Sequence, residues 1–410
     1  MLCSQITGEM GTFARSAALA RQLDRRGHTV AVVTVSGTPR LGVRRRAIHA
    51  PVVLEVGGLA PRKVRQMGLD PSDLLTRLLA IPRDFDIVHA FSYRPTAAVH
   101  AALLRQQGIP LLYDWADLVG RGGYASERRD LLGRLIGAFD DRLERAMVRG
   151  SDGVTAISSF LARRARRLGV DPQAVWILPP GVDVEAMPLV EQRKARAALG
   201  LAPDALIVGF AGFHRWDLDL VAGALIQLFP RYPRLSLVVG GPAGATIERH
   251  LGDRWRHRLV RFPALFGERY RDLLASADVL LLPYPRRRYN VARYPNKIGE
   301  YLAAGRAIVT NRTGDMGELL DRTGAALLVG ESPEELAAGV ARCLEDRDLR
   351  TTLGERGRSV AETAFGWDRV AERLEQAYQT TIARRSKSEG DGVTRLCEGA
   401  GVVGTGFEPV

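Results

Sequence analysis

Short apolar runs of strand length alternate along the chain with longer amphipathic runs, the pattern of βαβ units built on a parallel sheet. The alternation occurs twice. In the first half it predicts strands over 29–34, 52–56, 87–90, 111–113, 153–157 and 175–178, after a short first strand over 2–6. Helices are predicted over 12–26 and 95–107, stopped by Gly27 and Gly108. The turn Pro179-Pro180-Gly181 and a polar stretch over 190–198 mark a linker. Strands resume over 206–210, 235–240, 260–262, 279–282, 307–310 and 326–329, with helices over 218–229, 269–277, 297–304, 316–320 and 333–345. The fold class is therefore α/β, with two Rossmann-like domains facing a cleft, over 1–187 and 200–365. A closing helix over 366–385 carries Val370, Leu374 and Tyr378 at helical spacing and is free to dock on either half. Residues 386–410 are rich in Gly, Ser and charge without periodicity and are expected to be a disordered tail.

Length agrees with this division, since 410 residues exceed the roughly 250–300 at which one hydrophobic core splits. The 46% hydrophobic and 25% charged composition is that of a globular protein. No run reaches the roughly 18 apolar residues that span a bilayer, and no leader pattern opens the chain, so a cytoplasmic location is expected. Cys3, Cys343 and Cys397 are far apart and lack metal spacing, in keeping with a reducing compartment. The net charge of +12 is carried almost wholly by arginine, lysine occurring only at 63, 194, 297 and 387. Arginine bias of a GC-rich genome accounts for this, or else a polyanionic partner does. Arg44-Arg45-Arg46 and Arg163, Arg164, Arg166 and Arg167 either form a solvated face or meet membrane phosphates at the inner face of the cell membrane. Without interleaved aromatics they do not make a nucleic-acid platform.

Three places carry candidate chemistry. Gly8 and Gly11 precede the first helix, either as a phosphate-holding loop or as an ordinary helix cap. Asp114 and Asp117 follow a predicted strand, at the sheet edge where open α/β sheets bind ligands. One of them is placed to orient or deprotonate an acceptor hydroxyl, or else caps a helix. His89 ends another strand at the same edge. The third place is the segment from Tyr294 to Gly305, where Pro295-Asn296 makes an extended turn before a helix with Lys297 in its first turn and Glu300 one turn on. Lysine at a helix start suits a diphosphate, and a carboxylate one turn along suits ribose hydroxyls. The alternative is that both merely decorate a surface helix.

The order of landmarks resembles the large retaining glycosyltransferase family with the two-domain GT-B fold, the group 1 or family 4 type, over about 8–378. They are Met10-Gly11-Thr12, Asp86-Ile87-Val88-His89, Ala156-Ile157-Ser158-Ser159, Pro179-Pro180-Gly181-Val182-Asp183, Val238-Val239-Gly240-Gly241, Ala277-Asp278-Val279 and Pro295-Asn296-Lys297 through Gly305. The resemblance implies transfer of a sugar from a nucleoside diphosphate sugar to a hydroxyl acceptor on a glycan, lipid or small molecule, without a resident cofactor or metal. It assigns Glu300 to the donor ribose, the backbone near Pro295-Asn296 to diphosphate and sugar, and Arg215, with Lys297 sharing the role, to diphosphate neutralisation. Three departures stand out. Ala292 occupies the place of the first glutamate of the E-x7-E motif, Arg215 is the only basic residue in Gly212-Phe213-His214-Arg215-Trp216-Asp217, and Asp114-Trp115-Ala116-Asp117 lacks the acceptor-side histidine. They fit a divergent subgroup or a member without activity. A nucleotide-sugar epimerase, a sugar phosphorylase and a non-catalytic binding protein remain as alternatives with this architecture.

Overall fold

The computed structural model describes residues 1–8, 10–47, 51–127, 130–212, 217–263 and 265–399, with residues 10, 47 and 388–399 described by backbone alone. The first sheet contains β1 Leu2–Ile6, β2 Ala31–Val35, β3 Val43–Ala47, β4 Val52–Val56, β5 Val88–Ala90, β6 Leu111–Trp115, β7 Gly153–Ala156 and β8 Val175–Ile177. Their spatial order is β3-β4-β2-β1-β5-β6-β7-β8. The second sheet contains β9 Leu206–Ala211, β10 Leu235–Gly240, β11 Leu259–Phe262, β12 Val279–Leu282, β13 Ala307–Asn311 and β14 Leu327–Val329, ordered β11-β10-β9-β12-β13-β14. The central strands are buried on both faces because helices cover both, which is why they read as unbroken Val/Ile/Leu runs. Strand order reverses between β1 and β5 and between β9 and β12, and such reversals open the crevices in which α/β sheets hold ligands.

β3 is a strand that the apolar pattern does not reveal. It is Val-Arg-Arg-Arg-Ala, the one antiparallel edge of the first sheet, paired with β4 through Arg45↔Leu54. Arg46 reaches Glu55 at 2.9 Å. Charge on an edge strand discourages further strands from adding to it, so the arginine run at 44–46 has a structural use. The predicted linker also has structure: Gln192–Ala198 is a helix whose Arg196 binds the Ser276 carbonyl and Asp278, which attaches it to the second domain.

The chain crosses between the domains twice. At the first crossing Val182 N–H donates to the Phe365 carbonyl at 2.7 Å, and a Cβ on Gly181 would fall 2.5 Å from the Trp367 ring. At the second crossing the chain returns, and the helix Trp367–Gly399 docks on the first domain, against the helix Met10–Arg25, β6 and β7. Val370, Leu374 and Ala377 pack there with Leu19, Leu23 and Leu112. This helix runs past Ser386, where the sequence suggested disorder. The backbone stays helical to Gly399 although Gly390 and Gly392 are poor helix formers, so local propensity does not account for the extension.

Candidate functional site

Facing edges of the two sheets form a cleft, and the segment after β12 crosses it. Its short helix Lys297–Ala303 is held from below: Tyr301 Oη accepts the Ala211 N–H at 2.8 Å, and Ile298 and Leu302 are fully buried. Asn296 has helical backbone angles rather than the extended ones read from the sequence. From the other side of the cleft, Gly11 comes so close that a Cβ on it would lie 3.1 Å from Asn296 Nδ2. A side chain at position 11 would therefore narrow the cleft at this point, which gives a steric reason for glycine.

Lys297 is half-buried, with Nζ 5.2 Å from the centre of the Phe210 ring at the end of β9. Burial, then repulsion from Arg293, lowers its pKa to about 8, and Glu300 only partly offsets this. Glu300 accepts a hydrogen bond from Tyr270 Oη at 2.6 Å, and burial raises its pKa. Lys297 and Glu300 are thus half-buried one turn apart on the same short helix, each beside an aromatic side chain.

The three acceptor-side positions separate. Asp114 is buried and accepts from Arg15 Nε and Nη2 at 3.0 and 3.1 Å and from Thr155 Oγ1 at 2.8 Å. Arg15 also holds the carbonyls of Leu178 and Pro179, at the entrance to the first crossing. All of the hydrogen bonding of Asp114 is thus directed into the fold. His89 is buried as well, with Nδ1 3.0 Å from Tyr378 Oη and Nε2 3.3 Å from Thr155 Oγ1, and it helps to dock the final helix. Burial drives its pKa down to about 3, so the ring stays neutral. Asp117 alone opens on the cleft. The residue is solvent-exposed, but its carboxyl sits beside Arg293 and Tyr124, and desolvation there, offset in part by Arg293 and by a hydrogen bond from Tyr124, pushes its pKa up to about 6. Arg215 lies outside the described residues.

A cluster centred on Arg293 was not anticipated. Its Nε donates to Tyr284 Oη at 2.9 Å and its Nη1 to Tyr124 Oη at 2.6 Å, so one guanidinium joins the second domain to the first. It also lies 5.0–5.8 Å from the ring centres of Tyr284, Tyr124 and Tyr289. Burial works against its charge, but Tyr284, Tyr124 and Asp117 outweigh that and raise its pKa. The one hint in the sequence is its position just before Tyr294-Pro295. Ala292 is fully buried, and its carbonyl accepts from Ser158 Oγ across the seam. That position therefore gives backbone to the domain contact and no carboxylate to the cleft. Asp217 has φ of +61°, uncommon for a residue other than glycine, and is tied to Arg287 at 3.0 Å and to Asn290. Among the described residues no group of three or more His, Cys, Asp or Glu side chains is placed to hold a metal ion.

Residues 11–186 match the family model described as Glycosyltransferase Family 4, and residues 224–376 match one described as Glycosyl transferase-like. The chain belongs to the GT-B glycosyltransferases of this group. This transferase is 27% identical to a D-inositol 3-phosphate glycosyltransferase of Kineococcus radiotolerans over 416 aligned positions, covering 91% of each chain. It is 26% identical to the enzyme of the same name from Nocardia farcinica, over 83% of this chain and 80% of the relative. In fold it is similar to sucrose-phosphate synthase from Thermosynechococcus elongatus (TM-score 0.71, 19% identity, 93% and 96% of the two chains). WaaG, a glycosyltransferase involved in lipopolysaccharide biosynthesis, gives a TM-score of 0.69 at 18% identity over 93% and 98%. Anabaena HepE in complex with UDP-glucose gives 0.66 at 17% identity over 92% and 98%. Among the described residues of the transferase no helix is long and apolar enough to cross a membrane.

Proposed function

We propose that the transferase moves a hexose-type unit from a nucleoside diphosphate sugar to a hydroxyl acceptor, with retention at the anomeric carbon, in the synthesis of a glycan, glycolipid or cell-envelope component. The observation that carries this reading is the placement of half-buried Lys297 and Glu300 one turn apart on the helix that follows Asn296, where Gly11 of the first domain comes close. The names of the relatives support it, since HepE was obtained with UDP-glucose and the curated relatives act as D-inositol 3-phosphate glycosyltransferases.

In this mechanism Glu300 accepts hydrogen bonds from the ribose hydroxyls, and Lys297 and Arg293 face the diphosphate. The bond from the anomeric carbon to the phosphate oxygen breaks as a bond to the acceptor oxygen forms on the same face. The acceptor proton passes to the departing phosphate. Negative charge grows on the diphosphate as the bond breaks, so fixed cations beside it lower the barrier. Asp117, ionised, orients the acceptor hydroxyl. A panel of nucleoside diphosphate sugars screened by thermal shift, followed by product analysis with the best donor, tests the reading. Absence of any stabilisation at millimolar donor would refute it.

Two expected results follow from this placement. Glu300→Ala should weaken nucleotide binding at least several-fold, as loss of a charged hydrogen-bond partner does, with the melting temperature little changed; calorimetry with the nucleoside diphosphate measures it. Lys297 is cationic below about 8 and loses its charge above it, so affinity for the diphosphate should fall as pH rises from 7 to 9. Lys297→Arg should flatten that decline, since arginine keeps its charge throughout this range.

A further inference from the structure

The arginines of the helix Ser159–Arg167 do not line the cleft. Arg163, Arg164 and Arg167 meet Arg145 and Arg288 around a separate surface cavity of 330 Å³. Arg288 comes from the second domain: its guanidinium lies 5.9 Å from the ring centre of Phe160, and a Cβ on Gly122 would fall 2.8 Å from its Nε. The cavity therefore spans the domain seam.

Nearby acids do not balance this charge. Glu144 is buried and already accepts from Trp115 Nε1 and from the N–H groups of Val119 and Gly120 at 2.9–3.0 Å. Asp141 accepts the Arg121 N–H at 2.7 Å and pairs with Arg145 at 2.9 Å, while Arg164 is 3.9 Å away. Among the described residues Arg163, Arg167 and Arg288 have no direct ion pair, although Arg163 donates to Ser159 Oγ at 3.0 Å, which in turn donates to Asp315 at 2.6 Å; Arg164 Nη2 donates to the Arg121 carbonyl at 3.4 Å, while its Nε is buried without a hydrogen-bond partner. Burial lowers the pKa of Arg164; Glu144 opposes this, and Arg288 and Arg145 add to the lowering. Guanidiniums gathered in a concave site repel one another unless an anion lies between them, and their planar forks match phosphate oxygens in pairs.

We propose that this cavity is a binding site for a phosphate-type oxyanion, distinct from the donor site and closed by Arg288 when the two domains meet. The anion has two sources of the same chemistry, a free phosphorylated molecule or a lipid headgroup. The helix Leu131–Gly150, which supplies Arg145, also exposes Leu131 (74%), Leu132 (67%), Leu135 (61%) and Phe139 (49%), a face suited to lying against acyl chains. Bound there, an anion would tie Arg288, at the head of the segment leading to Arg293 and Lys297, to the first domain.

The test titrates the full chain with tripolyphosphate by calorimetry and sediments it with vesicles of phosphatidylglycerol in phosphatidylcholine. Lys297→Ala removes a cation from the donor site, while Arg163→Ala/Arg167→Ala changes two exposed residues of the cavity. Binding that survives Lys297→Ala and weakens roughly tenfold or more in the double variant supports the site, given the strength of charge-assisted contacts. An arginine-dependent loss in the tripolyphosphate titration points to a free phosphate, and one confined to the vesicles points to a headgroup. Melting temperatures without ligand check that the variants fold. If folded double variant and parent bind both probes equally, the proposal is overturned, whatever Glu300→Ala shows about the donor.

Discussion

Arg293→Ala is expected to lower kcat/KM by roughly 10²–10³, the loss seen when one preorganised group facing transition-state charge is removed. Arg293 combines two tasks that the fold does not otherwise unite. It places a cation within electrostatic reach of Lys297, and it joins Tyr284 of the second domain to Tyr124 of the first. Lysine offers no planar fork to bridge two phenols at 2.9 and 2.6 Å, so Arg293→Lys should recover only part of the rate.

The pH profile separates a functional role from a merely structural one. Asp117 titrates near 6 and Lys297 near 8, so the rate should rise as pH passes 6, where Asp117 ionises, and fall as it passes 8, where Lys297 loses its charge. Arg293 lowers both values, by favouring the Asp117 carboxylate and disfavouring the Lys297 ammonium. Its removal should therefore move both limbs to higher pH, while Asp117→Asn should abolish the acid limb alone. A rate loss with both limbs unmoved would leave Arg293 a domain tie and nothing more.

The architecture was legible because parallel strands covered on both faces must be apolar throughout, and each helix must show one apolar stripe. β3 escaped notice since an edge strand of three arginines has neither pattern. At the site, the position of a residue along a strand told which edge it would reach but not which partner would claim it. Asp114 and His89 do lie one residue before the ends of β6 and β5, yet Arg15, 99 positions from Asp114, and Tyr378, 289 positions from His89, turn them inward. Such contacts depend on how distant segments pack, which local spacing does not record. That Lys297 and Glu300 lie together on one short helix was readable, because the turn that relates them is local. Arg293 was not, since its importance comes from Tyr124 in the other domain.

Asp114→Ala is expected to destabilise the protein by about 3–5 kcal/mol, the usual cost of removing one member of a buried ion pair. The carboxylate is fully enclosed and Arg15 is 2% exposed, so truncation leaves a guanidinium with neither water nor a countercharge. The loss would spread beyond the pair. Arg15 also holds the carbonyls of Leu178 and Pro179, the last residues before the chain leaves the first domain, and Thr155 Oγ1 bridges Asp114 to His89 and so to the final helix. Asp114→Asn keeps the shape and one acceptor but loses the countercharge, so it should fall between the parent and the alanine variant. Arg15→Met/Asp114→Leu, which removes both charges for apolar groups, should recover much of the stability that Asp114→Ala loses. Denaturant unfolding measures all three, beside the donor affinity of each folded variant. If Asp114 served the acceptor directly, Asp114→Ala would abolish transfer at an unchanged unfolding midpoint; the ion pair to Arg15 predicts the reverse, a lowered midpoint with donor binding intact in the folded fraction.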